Sequence, residues 1–130
     1  MPRLGKIEFQ NNLEQRTKAF AVAVFKLLDA LPKKNSTKVV GLQLGKSASS
    51  IGANYREANR SESNDDFIHK LSISVKEANE SCYWFEVLVD LYPEHAMIKT
   101  LAAEGAELRN LFQSILTSAK RNARSQNRKS

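Results

Sequence analysis

Apolar residues recur at intervals of three, four and seven along four long stretches of this 130-residue chain, with only short polar breaks between them. That period places them on one face of a helix, and four such faces can hide from water only against one another. The first stretch runs from Asn12, a good N-cap with Gln15 three residues on, to Leu31, where Pro32 stops it; its stripe is Leu13, Phe20, Val24, Leu27, Leu28 and Leu31. A second, opening after Asn35 or Ser36, puts Val40, Leu44, Ala48, Ile51, Tyr55 and Ala58 on one face. Its Gly41, Gly45 and Gly52 weaken the helix but allow close approach by neighbours, so it is expected to be the most enclosed.

Ser63 caps a third segment with Asp65 and Asp66 in its first turn, where carboxylates suit the helix dipole. Its expected core stripe is Phe67, Leu71, Val75 or Ser74, Ala78, Cys82, Phe85 and Val89, and Tyr92-Pro93 ends it. Trp84, Val87, Leu88 and Leu91 point away from that stripe, more apolar surface than a lone bundle needs, and Trp84, Leu88 and Leu91 are therefore expected at a subunit interface. The fourth segment, from Pro93 to Arg121, carries Met97, Leu101, Leu108, Phe112 with Leu111, Ile115 and Ala119. Helices of these lengths joined by short loops imply an all-α, antiparallel up-down-up-down four-helix bundle. One domain, 1–119, is expected, with a short N-terminal extension and a flexible, disordered basic tail at 120–130. The single cysteine forbids an internal disulfide, no stretch approaches the ~20 apolar residues of a spanning helix, and a cytoplasmic protein away from membranes is expected.

Charge is segregated along the chain. Residues 1–60 hold 11 basic and 4 acidic groups, residues 61–107 hold 3 and 10, and residues 108–130 hold 6 and none. Lys120, Arg121, Arg124, Arg128 and Lys129 crowd the last eleven residues, an electrostatic arm for phosphate backbones or a solubilising tail. With Lys33, Lys34, Lys38, Arg56 and Arg60 they form the expected nucleic-acid contacts, directed at backbone rather than bases.

No catalytic constellation accompanies this charge. A di-iron bundle needs inward carboxylates on all four helices and two Glu-x-x-His pairs, whereas Asp66-x-x-His69 is the one acid-x-x-His motif. Glu77 and Glu80 are too few for the magnesium site of an all-α nucleotide pyrophosphatase. Cys82 reads as a buried, inert thiol. No metal, no cofactor and no enzymatic activity are expected. Ser47, Ser50, Asn54 and Glu57 share one side of the second segment, and with Glu80 opposite they are expected to form a buried polar network that fixes helix register or contacts a ligand.

The run from Gln43 through Lys46-Ser47-Ala48-Ser49-Ser50-Ile51-Gly52-Ala53-Asn54, then Glu57 and Arg60, Asp66-Phe67, Lys70-Leu71-Ser72-Ile73 and Lys76-Glu77-Ala78-Asn79-Glu80-Ser81-Cys82-Tyr83-Trp84, resembles the bacterial proteins encoded in intervening sequences of 23S ribosomal RNA genes, also labelled the S23 family. The resemblance spans about Phe9 to Ala119; Tyr55-Arg56 and Ala58-Asn59 depart from the smaller residues common around the glutamate. It implies an antiparallel bundle assembled as a homopentameric ring, and relatives in diversity-generating retroelements that bind nucleic acid and a reverse transcriptase. The expected function is a non-enzymatic oligomeric protein that binds RNA or DNA or acts as a scaffold. The alternative is an adaptor whose basic ends take an acidic protein partner.

Overall fold

The computed structural model describes residues 4–129, and for residues 4, 128 and 129 the backbone alone. The chain forms four helices: α1 (Leu4–Ala30), α2 (Asn35–Asn59), α3 (Asn64–Leu91) and α4 (Ala96–Lys129). No strand occurs among the described residues, and no helix there is long and apolar enough to cross a membrane.

Local chemistry sets the boundaries. Pro32 cannot continue α1, and the next turn is closed by Thr37, whose hydroxyl accepts from the Lys34 backbone N–H at 2.9 Å. Ser63 caps α3 as expected, its hydroxyl accepting from the Asp66 N–H at 3.1 Å.

Neighbouring helices pair in opposite residue order. Thr17, Phe25 and Leu28 of α1 meet Gly52, Gly45 and Gly41 of α2, and Glu57, Ile51 and Ser47 meet Lys70, Ser74 and Ser81 of α3. Phe85 meets Gly105 of α4, which lies in turn against Phe20 of α1. The bundle therefore has a loop end, holding the connections at 31–34 and 92–95, and a terminal end, holding the connection at 60–63, the start of α1 and the finish of α4.

The core runs through Leu13, Phe20, Val24, Leu44, Ile51, Leu71, Phe85, Leu108 and Phe112, with Phe112 edge-on to Tyr55 at 5.1 Å between centroids. Burying such side chains contributes about 1.5–3 kcal/mol each. The two flanks of α2 achieve close packing differently. Toward α1 the device is missing side chains: a Cβ on Gly52 would lie 2.7 Å from the Thr17 hydroxyl oxygen. Toward α3 it is small hydroxyls that satisfy one another. Ser81 donates to Ser47 at 2.9 Å, Ser47 to the Leu44 carbonyl at 3.3 Å, and Ser74 to the Ile51 carbonyl at 2.9 Å. Thr17 is likewise buried and donates to the Leu13 carbonyl.

Several expectations are corrected. The first helix starts at Leu4, so Asn12 lies inside it and the described part of the N-terminal extension is helical; nothing between Gly5 and Pro32 breaks a helix once nucleated. The fourth starts at Ala96 instead of Pro93 and continues through Lys129 instead of giving way to a disordered tail. Its last eleven described residues include Ala, Lys, Arg and Gln, contain neither Gly nor Pro, and carry the positive charge that a helix C-terminus favours.

The α3 stripe also moves by one position at its C-terminal half. Ser81 and Leu88 are buried, whereas Cys82 and Val89 lie half-buried at its edge. In α4, Leu101, Leu108 and Phe112 are buried as expected, but Ile98 and Leu116 are buried where Met97 is exposed and Ile115 half-buried. The core residues Ser74, Ala78, Ser81, Phe85 and Leu88 follow the 3.5-residue period of coiled helices, from which a straight 3.6-residue stripe drifts by about 20° per heptad.

Candidate nucleic-acid interface

Of the ten cations expected to contact nucleic acid, eight have described side chains, and all eight are exposed. The side chains of Arg128 and Lys129 lie outside the described residues. The fold divides the remainder into two groups. Lys33, Lys34 and Lys38 sit at the loop end, whereas Arg56, Arg60, Lys120, Arg121 and Arg124 sit at the terminal end. The 25 residues of α2 separate the groups by about 36 Å, so a single protomer does not present them as one surface.

At the terminal end α2 leaves the bundle through a charge cluster centred on Glu14, whose side chain is largely buried. Its carboxylate accepts from Asn59 Nδ2 at 3.0 Å and pairs with Arg56 and Arg60, each at 3.3 Å. One carboxylate between two guanidiniums leaves a net positive charge. Arg60 is held further by donating to the Arg56 carbonyl at 3.0 Å, and Lys70 pairs with Glu57 at 3.2 Å. A shallow recess opens beside these groups, bounded by Ser61, Ser63 and Asp66.

The second component is α4 itself. After Glu107 it holds no acidic residue to its end, while Lys120, Arg121 and Arg124 lie within about 100° of one another around the axis at 3.6 residues per turn. The inward face here is Leu116, Ala119 and Ala123, so the three cations project away from the core. Lys6 of α1 lies against this part of α4, beside Ser118, Asn122 and Gln126. None of Lys120, Arg121 and Arg124 enters an ion pair among the described residues.

The expected polar network is largely dispersed. Ser47 is buried, but Ser50 and Asn54 are half-buried and satisfied within their own helix, Ser50 donating to the Lys46 carbonyl and Asn54 to the Ser50 carbonyl. Glu57 and Glu80 are exposed. Glu80 directly precedes the buried Ser81, and one helical residue turns it about 100° off the seam. The buried hydroxyls of this seam are instead Ser47 bonded to Ser81, and Ser74 bonded separately to the Ile51 carbonyl; Ser74 is the alternative to Val75 in the sequence stripe, and Ser81 is absent from it.

Among the described residues no three His, Cys, Asp or Glu side chains converge as metal ligands; Asp66 and His69 are exposed. Burial pushes the Cys82 thiol up, against the opposing pull of Arg109. Burial, followed by the repulsion of Glu80, raises the Glu77 carboxyl.

The expected interface set splits. Leu88 is fully buried in the core, because the heptad seam carries it inward. Leu91 is exposed, and Trp84 is half-buried with its indole N–H lacking an acceptor among the described residues.

Residues 10–114 match the family model described as 23S rRNA-intervening sequence protein. The match stops short of Lys120, Arg121 and Arg124. A similar solved structure is a crystal structure, at 1.70 Å resolution, of a protein with unknown function from the S23 ribosomal protein family of Bacteroides thetaiotaomicron. It is 35% identical, covers 83% of this chain and 97% of its own, and has a TM-score of 0.72. No curated protein matches the chain.

Proposed function

The chain belongs to the 23S rRNA-intervening sequence protein family, and from that premise we propose that it is a non-enzymatic, oligomeric RNA-binding protein of the cytoplasm. In this reading the antiparallel up-down-up-down bundle assembles as a homopentamer, and the terminal end grips the phosphate backbone of structured RNA. The observation that carries it is the acid-free end of α4, where Lys120, Arg121 and Arg124 stand exposed and without ion pairs among the described residues, next to the net-positive Glu14–Arg56–Arg60 cluster. A helix already fixes the backbone that carries these cations, so they can displace condensed counterions from a nucleic-acid backbone without the chain having first to be ordered.

Binding of this type carries a strong salt dependence and little base preference. Fluorescence anisotropy with a structured 23S ribosomal RNA fragment, an equal-length DNA duplex and heparin, measured over a salt series, separates the alternatives. Preferential RNA binding that weakens with salt, and weakens further in a chain ending at Ala119, is the expected result. No binding to any polyanion at low salt overturns it and favours an adaptor whose basic ends take an acidic protein partner.

A further inference from the structure

Six large apolar side chains are exposed at the loop-end half of α1, α2 and α3: Val22, Phe25, Val39, Leu42, Tyr83 and Leu91. Leu42 and Tyr83 are 64% and 56% exposed, more than an isolated bundle has reason to leave in water. Helical spacing arranges them in outward stripes. Val39, Leu42 and Lys46 follow each other at i, i+3 and i+7 on α2, and Tyr83, Val87 and Leu91 at i, i+4 and i+8 on α3.

The charges that border the two stripes are mostly of opposite sign. Lys26, Lys38 and Lys46 border the α1–α2 stripe and outnumber the one carboxylate there, Asp29, whereas Glu80, Glu86 and Asp90 border the α3 stripe; all seven are exposed. None enters an ion pair among the described residues. One half of this end is thus apolar with a lysine rim, and the other apolar with a carboxylate rim.

We infer that the α1–α2 face of one copy seats on the α3 face of a second copy, Phe25, Val39 and Leu42 against Tyr83 and Leu91, with the lysine rim opposite the carboxylate rim. This rests on the oligomer reading above and specifies the contact within it. The contact joins two different faces, so every added copy presents the same unused pair of faces, and the assembly grows head to tail until it closes. Apolar side chains supply the affinity, and the rims fix which faces meet.

Light scattering tests the pairing with two full-length variants. One reverses the lysine rim (Lys38→Glu with Lys46→Glu), and the other reverses the carboxylate rim (Glu80→Lys with Asp90→Lys). Circular dichroism checks that both, and a chain carrying both reversals, keep wild-type helicity, as exposed positions should. The wild type is expected at a multiple of 14.6 kDa, each variant alone near the single-chain mass, and the chain carrying both reversals at a multiple again, because every junction then joins opposite charges whatever the number of copies. An oligomeric wild type with unchanged variants overturns the charge-matched contact while the oligomer stands. Variants that dissociate, with the doubly reversed chain dissociated as well, show that these two faces do not meet. A monomeric wild type removes the oligomer reading and this contact together.

Discussion

At the loop end, large apolar side chains reach solvent and the unpaired charges are mostly positive on α1 and α2, where Asp29 is the exception, and negative on α3. At the terminal end Ile7 and Phe9 of α1 are also exposed, but the large apolar residues of α2 and α3 are buried or half-buried, Glu14 is surrounded by Asn59, Arg56 and Arg60, and the acid-free end of α4 carries cations of one sign. Both ends are extensions of the same heptad core, which needs only residues such as Phe20, Leu44, Phe85 and Phe112 to hold its register. A bundle can therefore vary the outward side chains of its two ends independently, because the core residues of both ends face inward. The family match at residues 10–114 includes the loop end and leaves out the last three described cations.

The largest perturbation removes what the ends share. Phe112 is fully buried against Tyr55, and Phe112→Ala should cost about 3–5 kcal/mol in urea unfolding, weakening association and RNA binding together. A change that abolished one and spared the other would mean that the ends do not depend on a common core.

Glycines distinguish the ends next. Gly52→Ala drives a Cβ to 2.7 Å from the Thr17 hydroxyl and 2.9 Å from its Cβ, where over-packing costs about 1–3 kcal/mol. Gly41→Ala, toward the loop end, meets nothing nearer than Leu28 at 3.9 Å and should stabilise by up to about 1 kcal/mol through helix propensity. Thermal melts of the two variants should shift in opposite directions.

Leu42→Ser at the loop end should leave the unfolding free energy at low protein concentration within about 0.5 kcal/mol of wild type. It should nonetheless lower the mass seen by light scattering. Unchanged mass would remove Leu42 from the contact.

The smallest effect is one of pH. The Glu77 carboxyl is raised by burial and by Glu80, so the folded state favours its protonated form. That contribution is fully present below the ordinary carboxylate range and is lost as pH rises through the raised value. Glu77→Gln should therefore match wild type in acid and be the more stable chain at neutral pH, as read from melts at the two pH values.

Much of the fold was legible because its signals are local. Pro32, the Ser63 cap and the α1 and α2 stripes depend on neighbours within one or two turns, and each appears in the structure as expected. The α3 position slipped because choosing the most apolar residue at each turn selects Cys82 over Ser81, whereas the seam follows the 3.5-residue period regardless of polarity; in α4 Met97 and Ile98 are both apolar, and only the register of the seam distinguishes them. The helical ends of α1 and α4 were hidden for a different reason. They have little apolar periodicity of their own and are helical because each continues a helix already formed. The basic residues were readable, but their division between two ends was not, since that depends on which connections share an end. The expected burial of Glu80 failed by a single helical step, which no count of residue types could detect.

The central claim is that exposed cations on the end of α4 hold a nucleic-acid backbone. It is tested most directly by the salt slope of RNA binding for the full chain and for Lys120→Gln, Arg121→Gln, Arg124→Gln combined, which keeps the helix and removes three charges. The predicted result is a slope of log affinity against log salt that becomes shallower by roughly 2–3, with weaker binding at low salt. An unchanged slope and affinity would contradict the claim.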